Sequence, residues 1–280
     1  MSKARIFLLT LLAMIAFASN SLLCRLALKQ TAIDPATFTF VRVFSGAVAL
    51  WLVINTRRAS LNDSGNWPSA LALFVYAAGF SFAYVGLAAG TGALLLFGAV
   101  QATMILWGFH KGERLNVIQV LGLVIALVGL VVLVFPGLSA PPLVGSMLML
   151  GAGVAWGIYS LRGKVARDAV AVTTGNFVRA ALFAVALSVS LISRAHVDFA
   201  GIGYAIISGA ITSGLGYVIW YSALSGLKAT SAAAVQLSVP VLAAAGGILL
   251  LGEAITLRYV FASVAVLGGI ALVIWERDPR

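Results

Sequence analysis

Residues 121–135 form an unbroken apolar stretch with no charged or hydrogen-bonding side chain. It is the core of a run at 115–135 that is too long for a buried strand, and nine other runs resemble that one in length and character. They occupy residues 6–28, 35–54, 67–88, 92–109, 143–161, 171–192, 199–224, 230–251 and 257–275. A spanning helix needs about 20 predominantly apolar residues, so the chain reads as an all-α membrane protein with ten transmembrane helices. Barrel strands would alternate apolar and polar residues over about ten positions; these runs are continuous. Composition agrees. Hydrophobic residues make up 62% and charged residues 9%, against about 25% charged in soluble domains. The first run follows Lys3 and Arg5 and is longer than the core of a signal peptide, so it is read as a retained span.

Orientation follows from Lys and Arg in the connections. With the N-terminus in the cytoplasm, cytoplasmic segments hold Lys3, Arg5, Arg57, Arg58, Lys111, Arg114, Arg162, Lys164, Arg167, Lys228, Arg277 and Arg280. The opposite side holds only Arg25, Lys29, Arg194 and Arg258. This asymmetry predicts a multi-pass protein of the bacterial inner membrane with both termini cytoplasmic. It also accounts for the net charge of +10 through topology and lipid headgroups, without a nucleic-acid partner.

The two halves of the chain resemble each other. Phe40-Val41-Arg42 followed by Ala47-Val48-Ala49-Leu50 matches Phe177-Val178-Arg179 followed by Ala184-Val185-Ala186-Leu187. Gly112-Glu113 matches Gly252-Glu253. Aliphatic identities carry little weight in so apolar a chain; the arginine triplets and the Gly-Glu pairs carry more. Each half, 1–137 and 138–280, then holds five spans. Because five is odd, the second half enters the membrane from the opposite face. The expectation is two five-helix inverted-topology repeats, alternating access, and a substrate site near the midplane between them.

Five-span units ending in a Gly-Glu pair and a Gly-rich last span resemble the EamA-type units of the drug/metabolite transporter superfamily. Ala155-Trp156-Gly157-Ile158-Tyr159 is similar to the aromatic opening of such a unit. Gln236, Pro240-Val241 and Leu251-Gly252-Glu253 are similar to its ninth span. In the first half, Val100 stands where Pro240 stands in the second. The resemblance covers nearly the whole chain. It implies a transporter, with ten-span exporters of aromatic amino acids as the nearest type.

Candidate site residues are the polar and aromatic side chains within spans. Asn20, Gln101 and Gln236 offer amides to a substrate or to a neighbouring helix. Phe80 and Tyr84, like Tyr217 and Tyr221, are four apart and share a helix face. With Trp156 and Tyr159 they suit an aromatic-walled cavity for a small molecule. Arg42 and Arg179 are the cations inside spans. They guard the pathway or attract a carboxylate, or else snorkel to headgroups or tether a neighbouring helix. Pro240 marks a helix break suited to gating. Amides and hydroxyls are expected to bind the substrate without a net charge. Spans 5 and 10 read as outside the pathway, with Val273 on an exposed face.

No carboxylate lies deep in a span, so transport is expected not to depend on a membrane Asp or Glu. The leading function is export of amino acids, aromatic or otherwise apolar, and related metabolites. A nucleotide-sugar or sugar-phosphate exchanger is the alternative and would want more cations than Arg42 and Arg179. A membrane enzyme is a remote third, lacking paired acids or a nucleophile constellation; a receptor gains nothing from an inverted repeat. Neither cofactor nor metal is expected. Cys24 is the sole cysteine, His110 and His196 the only histidines, and the Gly-x-Gly sequences lack a βα context. Partners are a small-molecule substrate and the lipid bilayer, for a monomer or homodimer.

The topology is tested in a Cys24→Ala background. Single cysteines placed between residues 57 and 66, and beyond residue 275, should react with an impermeant maleimide only from the cytoplasmic side. A C-terminus labelled from the periplasm would rule out the ten-span arrangement.

Overall fold

The computed structural model describes residues 2–57, 64–110, 112, 116–135, 137, 140–163, 168–224, 226–227 and 235–275. Among these the chain is helical: α1 (Lys3–Gln30), α2 (Pro35–Arg57), α3 (Trp67–Tyr84), α4 (Ala89–His110), α5 (Val117–Val134), α6 (Leu143–Gly163) and α7 (Ala169–Ser190). Next come α8 (Phe199–Ile206), a π-helical segment (Ile207–Leu215) and α9 (Gly216–Leu224), which run on as one rod. The chain then forms α10 (Ser238–Leu251) and α11 (Leu257–Trp275). Eight helices are long and apolar enough to cross a membrane, with the α8–α9 rod as the eighth; the helices at 238–251 and 257–273 are shorter and also apolar. Helices satisfy their own backbone polar groups, which hydrocarbon demands.

The carboxylates explain several helix starts. Asp34 accepts from the Ala36 and Thr37 N–H groups, Asp168 from Val170 and Ala171, and Asp198 from Gly201. Each thus satisfies N–H groups that a helix start leaves open. Asp34 also accepts from the His196 N–H and so ties two connections on one face. Partial burial pushes its carboxyl up, but hydrogen bonds from Thr37, His196 and Ala36 outweigh this and hold it below the usual range. Asn66 caps α3, with Pro68 in the first turn, and Asn116 forms a capping box with Gln119 on α5. Pro240 falls in the first turn of α10, where its missing N–H costs nothing. Gly252 ends that helix in the left-handed conformation, at φ 62°.

Packing divides the helices into a core and an annex. α2 packs on α7, α4 on α10, and α6 on both α3 and α4. α1 packs on the α8–α9 rod and on α10. In the register of the sequence repeat, α2 and α7 are counterparts, as are α4 and α10, and the contacts of α6 mirror those of α1. α5 and α11 pair with each other and meet the core mainly at α4. Gly122 and Gly269 let their backbones approach: a Cβ on Gly122 would lie 2.6 Å from the Gly269 carbonyl oxygen. Val273 is fully buried in this seam, with Gly122 opposite, and not on an exposed face as the apolar pattern suggests. A uniformly aliphatic helix carries no polar stripe from which its inner face can be read.

Gly269→Leu should overpack the seam, at a cost of about 1–3 kcal/mol. A fall of several degrees in the melting midpoint of detergent-purified protein is expected. Val264→Leu, at a position 69% exposed on the same helix, should leave the midpoint unchanged.

Candidate functional site

The site is built around a buried cation. Arg42 lies on α2, which presents one face to α7 and the π segment, and is 2% exposed. Its Nη2 donates to the Tyr76 hydroxyl at 2.9 Å, and its Nε to Ser213 Oγ at 3.4 Å. The guanidinium carbon stands 4.7 Å from the Phe80 ring centre and 5.2 Å from that of Tyr76, within cation–π range. Its Nη1 has no hydrogen-bond partner. The carboxylates among the described residues are Asp34, Asp168, Asp198 and Glu253; the three aspartates cap helices and Glu253 pairs with Arg25. No carboxylate among them pairs with Arg42.

The π segment brings α2 close. Gly209 faces the carbonyl of Arg42 with no room for a Cβ, and Gly46 on α2 faces the Gly209 carbonyl. A π turn exposes backbone and redirects side chains, and such turns gather at functional sites. Here it presents Ser208, Thr212 and Ser213 inward. Ser208 Oγ and Thr212 Oγ1 donate to Asn20 Oδ1 at 2.7 and 3.2 Å, and Asn20 Nδ2 donates to the Tyr76 hydroxyl at 3.4 Å. A polar network thus runs from Arg42 through Tyr76 to Asn20 and the π segment.

Next to this network lies a cavity of about 20 Å³, room for a single water. Phe17, Asn20, Ser21, Tyr76, Phe80, Leu96, Phe97, Trp156, Thr212 and Tyr217 line it. Its walls come from α1, α3, α4, α6, the π segment and α9. Trp156 is central, 4.8 Å from Tyr76 and 4.9 Å from Tyr217 between ring centres, with Tyr159 stacked at 5.5 Å. Arg42 stands behind the wall that Tyr76 and Phe80 make.

On either side of this cavity, contacts join the two halves of the chain. At the end distant from the N-terminus, Arg25 Nε meets Glu253 Oε1 at 3.0 Å, and the pair is nearly buried (11% and 9% exposed). Arg25 Nη1 also donates to the Tyr84 and Val85 carbonyls, and Glu253 Oε2 accepts from the Ala89 N–H at 2.8 Å. Four elements meet there: α1, the end of α3, the start of α4 and the loop after α10. The sequence reading counts Arg25, at the end of the 6–28 run, with the charges of the opposite side; in the structure it lies five residues inside the end of α1 and turns to Glu253. At the other end, Arg162 donates to Ser69 Oγ and Asn66 Oδ1, and Arg179 donates to the Ser64 and Gly175 carbonyls.

Of the residues picked from sequence, Asn20, Phe80, Trp156 and Tyr217 line the cavity. Tyr84 and Tyr159 are buried beside it, edge-on to Phe80 and stacked on Trp156 respectively. Gln101, Tyr221 and Gln236 do not line it. Gln101 is buried on α4, Tyr221 is half-buried near Gly163, and Gln236 precedes α10. Pro240 is buried at the start of α10. Arg42 and Arg179 match in sequence but not in setting: one is buried beside the cavity, the other, midway along α7, is half-buried and holds the connection before α3 through the Ser64 carbonyl. The expected neutral site therefore has a cation next to it. Glu113, the sequence counterpart of Glu253, lies outside the described residues. Tyr76 was missed, although Tyr76, Phe80 and Tyr84 form a single four-residue stripe. Thr212 was missed because hydroxyls more often serve packing.

A model of the EamA-like transporter family matches this chain twice, at residues 4–135 and 143–275. The chain belongs to the EamA-like transporter family. An uncharacterised Pseudomonas aeruginosa protein is 56% identical over 281 residues, covering 100% of this chain and 98% of its own. An uncharacterised transporter of Bacillus subtilis is 24% identical, over 85% of this chain and 86% of its own. A probable amino-acid metabolite efflux pump of Salmonella typhimurium is 27% identical, over 66% of this chain and 67% of its own. A crystal structure superposes with a TM-score of 0.66 at 18% identity, covering 99% of this chain and 100% of that one; it speaks to the fold alone. The protein is a multi-pass membrane transporter, not an enzyme.

Arg25→Gln removes the cation from a nearly buried carboxylate, a change worth about 3–5 kcal/mol in buried pairs. In a Cys24→Ala background, a cysteine placed at Ala89 should then react several-fold faster with an impermeant reagent applied to the face opposite the N-terminus. Unchanged reactivity would mean that other contacts hold this end shut.

Proposed function

We propose that the protein exports amino acids with apolar or aromatic side chains, and related metabolites, across the bacterial inner membrane. Transport proceeds by alternating access between two inverted five-span halves, 1–137 and 138–280, with both termini cytoplasmic. The observation that carries this reading is the aromatic cavity between the halves, closed at both ends by contacts that cross from one half to the other. A pathway bridged at each end is what an occluded intermediate needs, and releasing one bridge at a time opens one face at a time. The mirrored packing of α1 and α6 and the pairing of α2 with α7 support the inverted repeat. The name of the Salmonella relative supports the substrate class. Arg42, Asn20, Phe80, Trp156 and Tyr217 bind the substrate; Tyr84 and Tyr159 brace the rings. Gln101, Tyr221 and Gln236 come into reach only as the halves separate. Arg179 serves the gate on the cytoplasmic side, and Pro240 marks the break in the ninth span. Aromatic walls make few shape demands, so selectivity is broad within apolar side chains.

Purified protein in liposomes preloaded with phenylalanine, leucine or tryptophan should drive counterflow of the labelled compound, with or without a pH gradient. Trp156→Ala should lower the rate about tenfold while the protein stays monodisperse, and Val264→Ala should not. Equal rates in wild type, Trp156→Ala and empty liposomes would remove the cavity from the transport path.

A further inference from the structure

Arg42 sets an electrostatic condition that the amino-acid reading leaves unmet. A guanidinium stays charged in proteins, and here it is buried at membrane depth without a carboxylate partner among the described residues. Neutral groups hold it in part: the Tyr76 hydroxyl, Ser213 Oγ and two ring faces. One N–H-bearing nitrogen, Nη1, is unspent. A zwitterionic ligand answers the charge with its carboxylate but also brings an ammonium group into the same space. Two of the acceptors nearest Arg42 are already used. Asn20 Oδ1 takes hydrogen bonds from Ser208 and Thr212, and the Tyr76 oxygen takes them from Arg42 and Asn20. The faces of Tyr76 and Phe80, which would otherwise favour an ammonium, are occupied by Arg42. An ammonium beside Arg42 is repelled by a like charge. A monoanion brings only the group that Arg42 lacks.

We propose that the cavity prefers net-anionic carboxylates with an apolar or aromatic substituent over zwitterionic amino acids with the same side chain, and that Arg42 sets this preference. The inference rests on the reading of the cavity as the transport site. In the occluded state the space holds about one water, so the ligand enters as Tyr76, Phe80 and Trp156 part, and their parting uncovers Nη1. The substrate class is then a monocarboxylic acid such as an aryl- or branched-alkyl-substituted acid without a free amine. Amino acids are weaker ligands of the same site. Arg42 recognises the carboxylate through a charge-assisted hydrogen bond, and the ring walls take the substituent.

The test uses three probes with the same ring and net charges of −1, 0 and +1 at pH 7: phenylpropionate, phenylalanine and phenethylamine. Binding to the purified full-length protein is measured by titration calorimetry, with counterflow of each compound in liposomes. In wild type, phenylpropionate should bind about tenfold or more tightly than phenylalanine, and phenethylamine should not bind. Arg42→Gln should erase the difference between the first two, and Arg42→Lys should keep part of it. If phenylalanine bound as tightly as phenylpropionate in wild type, the charge preference would be wrong while the transport site stood. If a folded Arg42→Gln protein kept the wild-type order of the three, Arg42 would not set it. Absence of binding and counterflow for all three would instead overturn the transport reading beneath the inference. Should Arg42→Gln fail to fold, the wild-type series and Arg42→Lys decide the matter by the same criteria.

Discussion

The burial of one guanidinium organises the centre of this transporter. At membrane depth an unpaired charge costs several kcal/mol or more, and Arg42 is not placed to reach headgroups. It is held instead by what surrounds it: the Tyr76 hydroxyl, a serine on the π segment, and the faces of two rings. Those partners come from two elements, α3 and the π segment, so the cation on α2 fixes all three relative to one another. The π turn is part of the same arrangement. Gly209 admits the Arg42 backbone at contact distance, and the serines and threonine around it turn inward to Asn20 and Arg42.

A second constraint acts at the two ends. Arg25 and Glu253 cross between the halves at one face, and Arg162 and Arg179 cross at the other. They do so by different chemistry. The first bridge is an ion pair with both members nearly buried; the second is arginine donation to hydroxyl, amide and carbonyl oxygens. α5 and α11 take no part in either bridge. Their glycine seam makes an annex beside α4.

Particular residues show how far the site was readable. Trp156, Tyr217, Phe80 and Asn20 were legible as aromatics and an amide inside apolar runs, because such groups are conspicuous where hydrocarbon is the solvent. Tyr76 belonged to the same stripe as Phe80 and Tyr84, and its spacing was the available signal. Gln101 and Gln236 met the same criterion as Asn20, yet they lie outside the cavity wall. An amide in a span satisfies itself equally well against a neighbouring helix, and residue type does not distinguish the two. Arg42 and Arg179 are the sharper case: identical triplets in the two halves, one buried beside the cavity and one tethering a loop. Position in a repeat is inherited, whereas depth depends on which helix packs opposite.

The amino-acid sequence by itself determined that the chain lives in a bilayer, that it is helical, that its halves are related, and which family it resembles. These follow from length and periodicity of apolar runs, since an unpaired backbone is not tolerated in hydrocarbon, and from identities spaced across the chain. Only the tertiary structure decided which polar groups share a space, that Arg25 meets Glu253 from the far end of the chain, and that Arg42 faces inward without a carboxylate partner among the described residues. An apolar helix in lipid has no wet side to define its dry one, so its pattern leaves the inward face open. That face is set by contacts between residues far apart in the chain, such as the one between Arg42 and Ser213.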